Sequence, residues 1–567
     1  MGHELVIRNG TIVDGTGADR FTGDLAMDDG LITQVGGVVG QGTREIDADG
    51  AIVAPGWVDI HTHYDGQVSW DAEMAPSSHH GATTVVMGNC GVGFAPVRPS
   101  ERDFLIELME AVEDIPGTAL HEGIDWQWES FGEYLDALQS MPRTLDVGAQ
   151  VPHAALRAYV SGQAAHEDDL NADQLQQMSD LVGQAIREGA LGFSTSRTIL
   201  HSSRHGLIPG TTALPDELLA VGQGMSKAGE AVFQIISDGI MHQDEEKAWV
   251  REIADMPGLT VTYSMAQDPG RPDAFRSALD EAAGYQAEGK KVVPQVPARP
   301  TGMLFGLQSS LHPFALHPSL RPFRRASLEE KMAALRDPNF RERLLAEAPQ
   351  SNHGVAHMLV TNWEQIFRLG EDCDYEPPRD CSIGAFARRE GRSPEAVALD
   401  WLMERDGKAF LFSPLGSYVE FNHDAIKTMI EHPASAVGLS DGGAHCGLIC
   451  DASFPTYLLT HWVNGRTRGS RLPLELVVHK QTQATANVYG LGDRGALQVG
   501  KFADLNIIDL ESLQLHVPEM IFDLPAGGPR LIQPVDGYLY TIKSGQVTFE
   551  RGEPTGERPG GVVRGRR

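Results

Sequence analysis

The chain of 567 residues is 41% hydrophobic and 22% charged, as is typical of a globular protein with room for a large barrel-type domain and a smaller one. Its formal net charge of −31 argues against nucleic acid or an anionic membrane as a partner, because both bind basic surfaces. The five cysteines are sparse and unpatterned, and the sequence shows neither a signal-peptide pattern nor an apolar run of membrane-span length, so we expect a cytoplasmic protein.

The first part of the chain, residues 1–54, is predicted to be part of a small β domain. Asn9-Gly10 and Asp29-Gly30 lie between short apolar runs. Such dipeptides are strong signals for hairpin turns, because they accept the left-handed backbone that these turns require.

Residues 55–484 show another pattern, in which apolar runs of strand length alternate with helical stretches. Buried parallel strands with crossover helices have this appearance. A first strand at Val58 is followed by strand candidates at 83–87, 145–149, 190–194, 231–236, 259–264, 291–296 and 436–440. The helix candidates between them include 172–188, 216–228, 244–254 and 272–288. Eight strands predict an α/β fold, a (β/α)8 TIM-type barrel.

Two stretches are longer than the connections of a minimal barrel. Residues 98–142 are predicted to be helical and are rich in Glu and Trp. Residues 300–432 contain helix patterns such as 328–336 and 394–403 and leave room for extra strands. Long insertions in such barrels often form lids over the active face.

The chain returns to β structure in residues 485–551. Residues 495–509 combine turn residues with an apolar strand, and residues 538–543 form another strand candidate. The tail, residues 552–567, is rich in Gly, Pro and Arg, and we expect it to be loosely ordered or to cover a neighbouring subunit.

Two histidines end the first barrel strand. His61 and His63 are two residues apart, and alternate residues of a strand point to the same side. Two neutral imidazoles on one side are able to hold a divalent metal such as zinc. The pair alone is a short and common pattern, and it is equally typical of two inert, hydrogen-bonded histidines.

Two other strand ends carry candidate ligands, and a barrel places its chemistry at the carboxyl ends of its strands. Cys90 follows the second strand between glycines, where it is either a thiolate ligand or a small buried side chain. Asp441 follows the eighth strand and leads into a glycine turn. It either ligates a metal and takes a proton from water, or caps the loop.

Four segments of the chain resemble the amidohydrolase superfamily, and within it the N-acyl-D-amino-acid deacylases, which are D-aminoacylase-like proteins. These segments are residues 54–65 (APGWVDIHTHYD), 81–91 (GATTVVMGNCG), 440–445 (SDGGAH) and 495–509. The resemblance covers nearly the whole chain, and the Gly-Asn-Cys-Gly element is specific to the deacylase branch.

The resemblance implies that the two β segments, 1–54 and 485–551, pair into one small β-sandwich beside the barrel. It also implies that His61, His63 and Asp441 are metal ligands and that Asp441 is the general base. Cys90 would take the place that a modified lysine holds in many relatives.

The sequence departs from the family pattern at three places. Ile235 and Met265 stand where we align the metal-binding histidines of the fifth and sixth strands. In the family, an arginine that holds a substrate carboxylate usually follows the strand-8 Asp shortly afterwards. In this chain the first arginine after Asp441 is Arg466. Four arginines in predicted loops are alternatives for that role, although each alone is typical of a solvated surface residue: Arg98, Arg197, Arg204 and Arg299.

These departures predict at most one tightly held metal, Zn²⁺, in the barrel site, because two full sites need more ligands than remain. The leading hypothesis is a metal-dependent amidohydrolase that cleaves a non-peptide amide C–N bond. Asp441 takes and returns the proton, and His445 stabilises the oxyanion or orients Asp441. His201 and His205 follow the fourth strand and are either pocket residues or solvated loop histidines.

Two alternatives stay open at this point. In the first, the metal site of the barrel is degenerate and the protein only binds a ligand. In the second, the protein is a related cyclic amide or lactone hydrolase. The expected partner is a small acylated amine or amino-acid substrate, with no nucleic acid and no membrane, and homo-oligomerisation is left open.

Overall fold

The structure is a computed structural model that describes residues 2–166, 169–350 and 354–565. Its centre is a sheet of eight parallel strands in which each strand pairs with its neighbour in the sequence. The strands are Trp57–Asp59, Ala82–Met87, Asp146–Pro152, Gly192–Arg197, Ala231–Ser237, Leu259–Ser264, Lys291–Val296 and Ala436–Val437. Both faces of the sheet are covered, by side chains in the barrel interior and by helices outside, so the strands are buried and mainly apolar. The predicted (β/α)8 barrel is confirmed.

The barrel closes just beyond the ends of its first and eighth strands. The backbone N–H of Asp441 donates to the carbonyl of His61 at 3.1 Å, and the N–H of His63 donates to the carbonyl of Gly442 at 2.8 Å. Closure therefore takes place at the carboxyl ends of the strands, within the segments that carry the candidate ligands.

Helices between the strands pack outside the barrel and bury one apolar face each. Those between the third and eighth strands are His153–Ser161, Ala172–Glu188, Pro215–Ala228, Asp244–Ala254, Ala274–Ala287 and Asp424–Glu431. After the eighth strand come Phe454–Tyr457, the π-helical segment Leu458–Gly465, Leu474–Lys480 and Gln483–Val488. No helix within the described residues has the length and apolar character needed to cross a bilayer.

Strands from both chain ends form one nine-stranded sheet with its own apolar cluster. Strand Ile52–Pro55 pairs antiparallel with Leu505–Ile508, and this pairing joins the two ends of the chain. The other strands are His3–Ile12, Phe21–Asp28, Leu31–Val35, Gly42–Asp47, Tyr538–Lys543, Gln546–Glu550 and Glu553–Pro554. Two further hairpins pair Gln514–Leu515 with Val535–Asp536 and Glu519–Leu524 with Gly528–Ile532.

The two long connections are largely helical. The first, after the second strand, contains Arg102–Glu113, Gly117–Gly123 and Phe131–Gln139. The second, after the seventh strand, contains Leu328–Arg336, Pro338–Ala346, Gly354–Thr361, Ile383–Glu390, Pro394–Leu402 and Glu404–Gly407. Three antiparallel strands cross it, Thr301–Phe305, Phe367–Leu369 and Phe410–Leu415. After the fourth barrel strand lies a short hairpin of Ser202–Ser203 and Gly206–Leu207.

The tail differs from the expectation of loose order or a role on a neighbouring subunit. As far as residue 565 it runs along the chain's own third barrel strand, where Val147 donates to Gly561 at 2.9 Å and Val563 donates to Val147 at 2.8 Å. Val563 is buried with residues of the barrel interior. The composition of the tail gave no sign that it would form backbone hydrogen bonds with Val147 of the third strand.

A buried charge network joins the barrel to the nine-stranded sheet. Asp146, at the start of the third barrel strand, accepts hydrogen bonds from Arg494 at 2.5 Å and from the backbone of Gly561 at 2.8 Å. Lys543 lies 3.1 Å from the same carboxylate. Burial opposes ionisation of Asp146, but the two cations outweigh it and lower the pKa of the carboxyl group.

We predict that Asp146→Ala lowers the free energy of unfolding by about 3–5 kcal/mol, because it leaves two buried cations without their shared partner. The matched control is Asp136→Ala, which removes an exposed carboxylate paired with Arg564 and is expected to cost at most about 1 kcal/mol. Urea denaturation measures both changes. Equal effects of the two substitutions would contradict the role of Asp146.

Candidate metal centre and active site

His61 and His63 lie side by side at the carboxyl end of the barrel, both about 1% exposed, with ring centroids 5.6 Å apart. His61 Nδ1 is 2.7 Å from Oε1 of Gln295, which ends the seventh strand. Because that oxygen only accepts, Nδ1 carries the proton and Nε2 presents a lone pair. Burial lowers the pKa of His61 to about 4, so the ring is neutral, as a metal ligand must be.

Cys90 faces the same point from the end of the second strand. Its Sγ lies 3.3 Å from His61 Nε2, and its backbone N–H donates to Gln234 Oε1 at 3.0 Å. The residue has a left-handed backbone, with φ of 55°. Burial raises the pKa of the Cys90 thiol to about 12, so it ionises only when a cation lies beside it.

The glycine before this loop is required by close packing. A Cβ on Gly88 would lie 2.4 Å from the carbonyl oxygen of Gln150, and its φ is +78°. Asn89 then ties two strand ends together, since its Nδ2 donates to the carbonyls of Thr62 and Val86 at 3.1 and 2.9 Å. The Gly-Asn-Cys sequence thus positions the thiol against the histidines.

Asp441 completes the group from the end of the eighth strand. Its Oδ1 lies 3.4 Å from Nε2 of His61 and 3.7 Å from Nε2 of His63. Burial opposes ionisation of Asp441, but the nearby histidines, His63 foremost, lower its pKa below the ordinary range. The structure therefore brings together His61, His63, Cys90 and Asp441, the four residues considered as ligands from the sequence.

Glu113, a residue that sequence reasoning missed, lies behind this group. It ends the helix Arg102–Glu113 in the first insertion and is 1% exposed. Its two carboxylate oxygens lie 3.4 Å from His63 Nδ1 and 3.4 Å from His445 Nε2. The only signal was the abundance of Glu in residues 98–142, which did not single out one position.

The charges around the group favour a cation. Burial works against a proton on His63, but the negative charge of Glu113 and hydrogen bonds to Asp441 and Cys90 raise its pKa well above the usual value. A positive charge is thus stabilised between these groups even without an ion. The ligating atoms of His61, His63 and Cys90 lie within 4.8 Å of one another. Nitrogen, sulfur and carboxylate ligands at this spacing fit a divalent metal such as zinc.

The structure corrects the expectation that Ile235 and Met265 occupy ligand positions. Gln234 reaches Cys90, so its neighbour Ile235 lies on the opposite face of the fifth strand, among apolar side chains that face the helices. Met265 belongs to the same apolar cluster. Within the described ranges, no histidine of the fifth or sixth strand joins the ligating group.

The loop after the fourth strand begins at the site and ends at the surface. His201 Nδ1 lies 2.9 Å from the hydroxyl of Ser196, and burial lowers the pKa of His201 to about 3. His205 is farther out and lies 3.2 Å from Glu107 of the first insertion. Only His201 of the two is therefore placed near the candidate ligands.

The four arginines considered for a substrate carboxylate all have partners. Three of them, Arg197, Arg204 and Arg299, form ion pairs. Of these, Arg204 has the most exposed side chain, at 71%, and lies at the outer end of the loop after the fourth strand. The contacts are Arg98 with the ring of Tyr159, Arg197 with Glu246, Arg204 with Glu107, and Arg299 with Asp451. Arg466 pairs with Glu376 and Asp424.

Comparison with known proteins agrees with this arrangement. Residues 44–549 match the profile of the amidohydrolase family. The chain belongs to the amidohydrolase family. It is therefore a hydrolase of carbon–nitrogen bonds other than peptide bonds, as predicted.

Individual relatives of this amidohydrolase are deacylases. It is 26% identical over 518 residues to a D-aminoacylase of Alcaligenes xylosoxydans xylosoxydans, covering 89% of this chain and 88% of the relative. It is 25% identical over 574 residues to an N-acyl-D-aspartate deacylase of the same organism, covering 99% and 95%. Its fold matches that of an N-acyl-D-glutamate deacylase of Bordetella bronchiseptica, solved with zinc and a phosphonate inhibitor, with a TM-score of 0.65, 22% identity and full coverage of both chains.

We predict that Asn89→Ala destabilises the amidohydrolase, because it leaves the buried carbonyls of Thr62 and Val86 without this donor. The expected loss is about 1–3 kcal/mol and comes from the Thr62 carbonyl, because the Val86 carbonyl keeps the backbone N–H and the hydroxyl of Thr62 as donors. Urea denaturation measures the loss. Asn422→Ala, at an exposed turn, serves as the control, and a similar stability of both variants would contradict the role given to Asn89.

Proposed function

We propose that this amidohydrolase is a zinc-dependent deacylase of N-acyl-D-amino acids or closely related acylated amines. The observation that carries the proposal is the convergence of His61, His63, Cys90 and Asp441 at the carboxyl end of the barrel. The deacylase relatives match it over nearly their whole length, which supports this substrate class.

The ligands proposed for one Zn²⁺ per chain are His61, His63, Cys90 and Asp441. The hydrogen bond between His61 and Gln295 holds one imidazole in the ligating tautomer. A divalent ion held by these residues would supply Lewis-acid chemistry, which polarises an amide carbonyl and makes water a stronger acid. Because the Cys90 thiol is protonated without an ion, loading the site would release the thiol proton, and His63, whose pKa is raised, would also give up its extra proton.

Asp441 is proposed as the general base and acid. Its side chain is 16% exposed, whereas those of His61 and His63 are 1% exposed, so Asp441 is the member of the group that meets solvent. Its carboxylate takes a proton from the attacking water and later gives it to the leaving nitrogen.

His445 is proposed to stabilise the developing oxyanion. Its ring is 23% exposed and lies 3.4 Å from the buried Glu113 carboxylate, which positions the ring at the edge of the site. This contact supports an oxyanion role over the alternative, in which His445 orients Asp441.

We predict that Asp441→Asn lowers turnover by about 10²–10⁴-fold, the usual contribution of a general base, while the thermal unfolding temperature changes little. The measurement is amine release from a panel of N-acyl-D-amino acids, their L enantiomers and N-acyl amines without a carboxylate. Asp536→Asn, at an exposed position far along the chain, is the matched control. Full activity of the Asp441 variant would remove the proposed mechanism.

We further predict that His63→Ala loses about one equivalent of zinc relative to the wild type, because the four proposed ligands become three and only one imidazole remains. Elemental analysis after chelation and reloading measures this loss, and turnover is expected to fall with it. His121→Ala, at an exposed histidine, is the control. An equal zinc content of His63→Ala and the wild type, together with no turnover of any panel substrate by the wild type, would favour a binding protein instead.

A further inference from the structure

A second group of metal-ligating side chains lies outside the barrel. It contains Glu376 of the second insertion, His423 just before helix Asp424–Glu431, and His461 of the π-helical segment Leu458–Gly465. Glu376 Oε2 lies 3.2 Å from His461 Nε2 and 4.0 Å from His423 Nδ1. One ligating atom from each residue falls within 4.8 Å of the others.

His423 is held in the tautomer that a metal needs. Its Nε2 lies 3.0 Å from the backbone carbonyl of Tyr375, and because a carbonyl only accepts, the ring proton lies on Nε2. Nδ1 therefore presents its lone pair towards Glu376. The Tyr457 hydroxyl, 3.4 Å away, is able to donate to this lone pair. The ring is completely buried, so its direction is fixed.

His461 has an unused ring nitrogen at the same point. Its ring stacks on Tyr457, with centroids 4.7 Å apart and planes 11° apart. Nε2 is buried and has no well-aligned hydrogen-bond partner, although Glu376 is near. The residue lies in a π-helical turn, a distortion that proteins often retain at functional sites.

Glu376 is fixed from its other side by Arg466. The guanidinium donates to Oε1 at 2.9 Å and to Oε2 at 3.2 Å, and it also pairs with Asp424 at 2.7 Å. The carboxylate is therefore ionised and oriented before any ion binds, and its remaining lone pairs face the two histidines. Asp374 lies on the same cavity wall, and burial raises the pKa of its carboxyl group.

A cavity of about 390 Å³ opens beside the group. Glu376 and His461 form part of its wall together with Asp374, Thr460 and Arg468, whereas His423 is buried behind them. An ion at this point would have three protein ligands and one position open to the cavity.

We propose that Glu376, His423 and His461 form a second site for a divalent transition metal of the zinc class. Two imidazoles and a carboxylate are a ligand set that zinc accepts, with the fourth position left to water or to a small anionic or neutral ligand in the cavity. The site joins the second insertion to the segment that follows the eighth barrel strand. It shares no ligand with the barrel site and does not depend on the proposed deacylase activity.

The test uses full-length protein in the His63→Ala background, where the barrel site is disabled. The protein is stripped with a chelator, reloaded with Zn²⁺ and desalted, and zinc per chain is measured by elemental analysis. About one equivalent is expected to remain in His63→Ala and to be lost in His63→Ala/His461→Ala. The matched control is His63→Ala/His121→Ala, which removes an exposed histidine and should keep the zinc.

Thermal unfolding gives a second measurement on the same proteins. Zn²⁺ should raise the unfolding temperature of His63→Ala but not that of the double variant, because an ion that binds only the folded state stabilises it. His461→Gln replaces His461→Ala if the latter does not fold by circular dichroism. The proposal is overturned if His63→Ala holds no zinc and shows no shift, or if the double variant keeps its zinc.

Discussion

The candidate active site depends on the way in which the barrel closes. The first and eighth strands are joined by the hydrogen bonds of His61 and His63 with Asp441 and Gly442, beyond the ends of the strands themselves. Ser440 adds a side-chain bond to Asp59 at 2.5 Å. The backbone that closes the barrel is thus the backbone that carries three of the proposed ligands. Their mutual distances are fixed by the same bonds that hold the fold together.

Strained backbone accompanies the convergence of side chains at the site. Cys90, Asp441 and His445 all have positive φ, between 48° and 55°. Such conformations cost on the order of 1–3 kcal/mol each for residues other than glycine, although Asp and His accept them more readily than most. They persist because neighbouring strands determine the loops on both sides. The strained backbone directs the three side chains towards one point.

Burial of several acids around the closure couples the fold to a bound cation. Burial raises the pKa of Asp59 to about 6 and that of Asp65 to about 7. Asp441 and Glu113 add negative charge within the same small volume. A divalent metal bound by the proposed ligands would offset the repulsion between these groups and so stabilise the site.

The sequence predicted those features that depend on local patterns. The strands Leu259–Ser264 and Lys291–Val296 and the helices Ala172–Glu188 and Asp244–Ala254 lie where the apolar runs and periodicities indicated. The alignment placed Ile235 at a ligand position, whereas its neighbour Gln234 faces the barrel interior. An alignment without coordinates does not show which face of a strand points inward. Glu113 could not be singled out, since its role comes from a turn of the insertion that returns to the barrel.

The group at Glu376 shows the same limit more strongly, because its members are 38 to 85 residues apart and no spacing pattern links them. Packing provides the link. Arg299, which follows the seventh strand, pairs with Asp451 at 2.9 Å and lies 3.9 Å from the ring of Tyr375. The carbonyl of Tyr375 in turn orients His423. A set of buried contacts therefore runs from the segment after Asp441 to the second group, and these contacts fix the direction of the His423 ring.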